Sequence, residues 1–186
     1  MLPVSTFSLV KKKLLTGYKG RTMDKSKIHH SHKDHWRTPD TLWEAICKRF
    51  GTPEYDMAAS VGNARCDNYF TAEDDSLSLN WADYGVKWCN PPFSLKREFI
   101  AKADCGSGYG TIMVLPVDTS TEWFHDLCGR AKVYLLKGRV QFYLTEEEIL
   151  AMPEEERPKK INSNQGGTCV ALFGAEPGIE LWDWKN

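Results

Sequence analysis

The run Thr111-Ile112-Met113-Val114-Leu115-Pro116-Val117 narrows the fold more than any other stretch of this chain. An almost unbroken apolar segment of this length suits a strand covered on both faces, since a strand with one wet face alternates apolar and polar residues. Two covered faces call for helices, and the flanking sequence supplies them. Thr38 is a candidate N-cap and Pro39 a first-turn residue for an amphipathic helix carrying Leu42, Trp43, Ile46, Cys47 and Phe50, closed by Gly51. Residues 96–103 set Phe99, Ile100 and Ala103 on one side of a second helix, and residues 121–130 form a third. Strands are expected within residues 54–59, 67–70, 86–89, 132–136, 140–143 and 169–173. Strands alternating with helices make an α/β chain. Residues 145–167 are polar, Glu-rich and Pro-containing, and are expected to form a long loop or lid. Trp43, Trp81, Trp88 and Trp123 are expected in the core.

At 186 residues, 41% hydrophobic, the chain is sized for one compact domain over residues 36–186, preceded by a leader over residues 1–35. The leader is basic. Residues 1–37 hold nine Lys/Arg and two acids, a local charge of +7, which leaves −8 on the remaining 149 residues. A basic arm ahead of an acidic body can approach a polyanion such as DNA by releasing counterions, or be a solvated, disordered leader. No window nears 18 uninterrupted apolar residues, which excludes a membrane-spanning helix, and the first residues do not read as a signal peptide. Six cysteines stand 16 or more residues apart with no CxxC pair, as in a reduced, intracellular protein. His29, His30, His32 and His35 lack a second ligand cluster at zinc-like spacing, so no metal is expected.

The chemistry concentrates in Asn90-Pro91-Pro92-Phe93, directly after the strand expected at residues 86–89. Two successive prolines fix φ twice and remove two N–H donors, so the segment leaves the sheet and offers carbonyl oxygens without competing donors. The Asn90 amide oxygen and the Pro91 carbonyl can each accept one N–H of an exocyclic amine, while Phe93 can stack on a planar ring. With both protons held, the amine lone pair is steered towards a methyl donor. A base reaching such a site must leave the duplex, at a cost of a few kcal/mol of unstacking.

In order along the chain stand Trp36-Arg37-Thr38-Pro39, Asp56-Met57-Ala58-Ala59, Tyr69-Phe70-Thr71 with Asp74-Asp75-Ser76-Leu77 and Trp81, Trp88-Cys89-Asn90-Pro91-Pro92-Phe93, Val114-Leu115-Pro116 with Trp123-Phe124, and Gly138-Arg139-Val140-Gln141-Phe142. In these segments, spread over residues 34–174, the chain resembles the phage-type DNA N-6-adenine methyltransferases, the Dam-like enzymes of bacteriophages and prophages. The resemblance implies a Rossmann-like, mostly parallel sheet with helices on both faces and S-adenosylmethionine as methyl donor. It implies double-stranded DNA as substrate and the cytoplasm of a bacterial host as the place of action.

The implied roles follow the motifs. Asn90, Pro91, Pro92 and Phe93 become the catalytic tetrad, with Phe where Tyr is commoner. Thr38 and Pro39, with Trp36 beside them, become the holders of the methionine end of the cofactor. Asp56 and Ala58 fall near its amino group, and Asp75, with Asp74 as competitor, near its adenosine half. Arg139, Lys159 and Lys160 become DNA contacts, the lysines within the expected lid. One departure stands out: Ala58-Ala59-Ser60 replaces the glycine-rich turn usual after the first strand. The alternatives are a cytosine-N4 or RNA-base methyltransferase, or a silent nucleic-acid-binding domain of the same fold. Oligomeric state is not legible.

Overall fold

The computed structural model describes residues 36–103, 110–157 and 166–186. Its centre is a seven-stranded sheet of β1 (Tyr55–Asp56), β2 (Asn68–Tyr69), β3 (Lys87–Cys89), β4 (Thr111–Pro116), β5 (Lys132–Leu136), β6 (Thr168–Phe173) and β7 (Gly178–Trp182), in the order β2-β1-β3-β4-β6-β5-β7. Pairs β1–β2, β1–β3, β3–β4 and β5–β7 are parallel, and β6 alone runs against its neighbours β4 and β5. The sheet is therefore mostly parallel, in keeping with the fold that the resemblance implies.

The apolar run at β4 behaves as its composition demands. Residues 111–115 are all buried, and alternate side chains enter opposite layers. Met113 and Leu115 join Phe99, Ile100, Trp123, Phe124 and Leu127 on one face. Ile112 and Val114 join Leu42, Ile46, Trp88, Tyr134 and Trp182 on the other. Helices α2 (Lys96–Ala103) and α3 (Glu122–Arg130) thus cover the first face, and α1 (Asp40–Phe50) the second. Leu42 and Ile46 are fully buried beneath α1, and each such side chain contributes roughly 1.5–3 kcal/mol. Gly51 closes α1 at φ 86°, a left-handed value where a Cβ would be strained. Trp81, Trp88 and Trp123 are core residues; Trp43 is half-buried, its ring edge-on to Trp88 at 5.1 Å.

Three expectations need correction. Pro39, not Thr38, is the N-cap of α1, and no side chain caps that end. Residues 140–143 are not a strand of the sheet. Val140 and Phe142 are buried in the α1 layer, while Tyr143 forms a single antiparallel bridge with Arg37. The alternation there reports one buried side without a ladder. The polar stretch after 145 opens as a helix, α4 (Glu146–Ala151), followed by a 3-10 turn at Glu154–Glu156. Thr145 and Glu148 form its capping box, the S/T-x-x-E pattern that favours helix initiation. The sequence predicts no strand at β7, because a sheet-edge strand with exposed Ile179 and Leu181 lacks a continuous apolar signal.

Candidate active site

From β1 the chain moves outward to β2, then crosses back to β3 and β4 on the other side of β1. Strand order reverses between β1 and β3, and a doubly covered sheet opens a crevice at the carboxyl ends of its strands at such a point. Asp56 ends β1 and is paired with Trp88 of β3, and Asn90 lies two residues beyond that partner. A cleft opens there, with about 1100 Å³ of empty space counting its solvent-facing mouth.

Its acceptor wall is the double-proline turn. Asn90 Nδ2 donates to the main-chain carbonyl of Trp36 at 2.7 Å. A carbonyl can only accept, so this bond fixes which end of the amide is nitrogen and leaves Oδ1 as the acceptor end. Asn90 and Pro92 line the cleft, together with Trp36 and Thr38. Pro91 is buried, and Phe93 opens a 3-10 turn (Phe93–Leu95) without lining the cleft.

The donor wall is built differently. Asp56 is buried, and its two carboxylate oxygens accept the N–H groups of Ala58 (3.2 Å) and Arg65 (3.0 Å). Burial pushes the Asp56 carboxyl up to about 6, against the lowering pull of those two N–H groups and of the Arg65 charge. The Arg65 guanidinium binds the Thr38 carbonyl and, at 2.6 Å, Asp40 Oδ1, tying the loop after β1 to the start of α1.

Between the neighbouring acids the geometry discriminates. Asp74 turns away to accept from Thr71 N (2.9 Å) and Oγ1 (3.0 Å), whereas Asp75 lines the cleft from a left-handed backbone at φ 46°, ψ 69°. Ser76, the next residue, anchors that conformation: its Oγ donates to the Met57 carbonyl at 2.6 Å, and its own carbonyl accepts from Trp81 Nε1 at 2.8 Å.

One cleft thus collects Trp36, Thr38, Asp56, Ala58, Asp75, Asn90 and Pro92 from the residues singled out by sequence. Pro39 stands just outside it as the N-cap of α1. Arg139 is exposed after β5, with β4 and β6 between that strand and β3, and is not part of the cleft. Lys159, Lys160 and the histidine run lie outside the described residues. Sequence reasoning missed Arg37, Arg65 and Ser76, all of which line the cleft. Only contacts across the fold give them a place there.

This second wall presents groups that can meet both signs of charge. Two carboxylates, Asp56 and Asp75, meet a cation, while the N-terminus of α1 favours an anion. Thr38 Oγ1, buried beside the cleft, has no hydrogen-bond partner. A buried hydroxyl left so costs about 1–3 kcal/mol, which a bound polar group can relieve. Among the described residues no group of three or more His, Cys, Asp or Glu could hold a metal ion, and no helix is long and apolar enough to cross a membrane.

Comparison with known proteins agrees with this architecture. Residues 25–177 match the family model of the DNA N-6-adenine-methyltransferases (Dam). The DNA N-6-adenine-methyltransferase of Haemophilus phage HP1 (strain HP1c1) is 34% identical over 131 residues, covering 67% of this chain and 75% of that protein. That of Escherichia phage T1 is 31% identical over 162 residues, covering 83% of this chain and 68% of the relative. The chain belongs to the DNA N-6-adenine-methyltransferase (Dam) family.

Proposed function

We propose that this protein transfers a methyl group from S-adenosylmethionine to the N6 amine of an adenine swung out of double-stranded DNA. The observation that carries the proposal is the hydrogen bond from Asn90 Nδ2 to the Trp36 carbonyl. It spends the donor end of the amide on the protein and leaves the oxygen end for an amine N–H. The Pro91 carbonyl is assigned the second N–H, and Phe93, which flanks the cleft without lining it, is assigned the stacking contact with the purine. Because Pro91 and Pro92 bring no N–H of their own, nothing in the turn competes for those oxygens.

Thr38 and the N-terminus of α1 hold the methionine carboxylate, with Trp36 and Pro39 shaping that end. Asp56, largely ionised at neutral pH, and the neighbouring Ala58 receive the amino end, and Asp75 receives the adenosine half. When bound, S-adenosylmethionine supplies an electrophilic methyl on its sulfonium. The residues of the chain position the amine and exclude water, so the rate gain is chiefly proximity and electrostatics. Exposed Arg139, outside the cleft, contacts the duplex, through phosphates in the main, and Lys159 and Lys160 are assigned the same role.

Asn90→Ala tests the assignment. Methyl transfer to duplex DNA should fall on the order of a thousandfold, the scale of removing one positioned transition-state contact, while donor binding holds. Full activity in that variant, or donor affinity lost along with activity, overturns the role given to Asn90.

A further inference from the structure

We infer that Arg37 is a positioning residue: its ion pair with Glu148 of α4 fixes the peptide plane that orients Asn90. The inference rests on the role proposed for Asn90. The carbonyl of Trp36 and the N–H of Arg37 belong to one planar trans peptide, and so point to opposite sides of it. The carbonyl accepts from Asn90 Nδ2 at 2.7 Å, and the N–H donates to the Tyr143 carbonyl at 2.8 Å. The Arg37 carbonyl in turn accepts from Tyr143 N at 3.3 Å. One rigid unit is thus gripped by the acceptor turn on one side and, on the other, by the chain that reaches the N-cap of α4 two residues later.

The side chain of Arg37 closes the loop. Its Nε donates to both carboxylate oxygens of Glu148 at 3.0 Å each, and Nη2 stands 2.9 Å from Oε1. Both side chains are three-quarters or more buried, at 18% and 24% exposure, which shields the pair from the screening that makes surface ion pairs weak. The same carboxylate accepts from Thr145 N (2.8 Å) and Oγ1 (3.1 Å) to complete the capping box of α4. Burial alone would raise the Glu148 carboxyl; the hydrogen bonds from Arg37 and Thr145 outweigh it and hold it below the usual range. The peptide plane at Asn90 can therefore tilt only if the Glu148 fork or the Tyr143 bridge gives way. Loosening α4 must loosen the amide that holds the acceptor amine.

The substitution Glu148→Gln isolates this link, because glutamine still serves a capping box yet lacks the charge for the fork. In the full-length protein, kcat for methyl transfer should fall about tenfold. KM for DNA and affinity for S-adenosylmethionine should stay within about twofold, as when a contact is lost only in the transition state. Arg37→Lys, which keeps the charge and loses the fork, should match it, and the double variant should be no worse than either. An NMR readout needs no activity: hydrogen exchange of the Asn90 side-chain amide, assigned by its absence in Asn90→Ala, should quicken in both variants. Unchanged kcat and unchanged exchange would overturn the inference. So would a rise in KM alone, which would make α4 a DNA contact instead. A wild-type protein without methyl transfer would defeat the proposed function, while the exchange measurement would still decide whether the clasp holds Asn90.

Discussion

The two walls of the cleft are built by opposite means. On the acceptor side the turn itself is local, fixed by two prolines, and a single long-range bond, Asn90 to the Trp36 carbonyl 54 residues away, sets the amide. On the donor side the shape comes from distant parts of the chain. Asp56 is held by the N–H of Arg65 nine residues on, whose guanidinium reaches back to Thr38 and Asp40. Asp75 keeps its left-handed backbone because its neighbour Ser76 is bonded to Met57 and Trp81. The acceptor wall resembles a rigid stencil, whereas the donor wall is a set of charges, among them the buried Asp56 with its raised carboxyl. Substitutions on the first should change turnover, and on the second donor affinity.

Breaking that division gives the sharpest tests. After the loss of turnover expected of Asn90→Ala, the largest effect belongs to Asp56. Asp56→Ala should weaken S-adenosylmethionine binding by tenfold or more, the scale of a lost charged hydrogen bond, as read by calorimetry. Asp75 comes next. Asp75→Asn keeps a residue tolerant of the left-handed backbone and should cost about tenfold in donor affinity with little change in melting temperature. Asp75→Ala should lose the same affinity and, in addition, about 1 kcal/mol of stability. Equal stability of the two variants would show that φ 46° carries no strain.

A smaller, pH-dependent effect follows from the raised carboxyl of Asp56. Its ordinary value is 3.8 and its folded value about 6, so the folded state binds this proton more tightly than the unfolded chain does. Without donor, the ionised group opposes folding. Stability of the wild type relative to Asp56→Asn should decline as pH rises from about 4 to about 6, a trend that urea denaturation can follow. Donor binding should show the reverse sense: affinity drops as pH falls below about 6 and the carboxylate is lost. The smallest effect is that of Arg139→Ala, a few-fold rise in KM for DNA with kcat and donor affinity unchanged. A fall in kcat there would place Arg139 functionally with the acceptor wall.

How far the sequence alone discloses the molecule follows the same division. The β4 run, the amphipathic pattern of α1 and the Asn90-Pro91-Pro92 turn are local in cause, and their outcome is readable from neighbouring residues. Asp75 against Asp74 is not, because the choice is made by Thr71 accommodating one acid and Ser76 anchoring the other. Arg65 carries no motif, and Arg37 stands in one without a role that its neighbours disclose; the contacts of each form only when β1, α1 and α4 meet. Residues 140–143 mislead for a related reason: one buried side of an irregular segment mimics strand alternation. The capping box at Thr145 and Glu148 was legible in principle, but it stands in a stretch dominated by acidic residues, whose composition suggests a loop.

The most direct test of the whole account needs no variant. Wild-type protein incubated with duplex DNA and methyl-labelled S-adenosylmethionine, followed by digestion to nucleosides, should place the label in N6-methyladenine. Label in N4-methylcytosine, or DNA left without label while the protein still binds the donor, would contradict an Asn90 turn built to hold the amine of adenine.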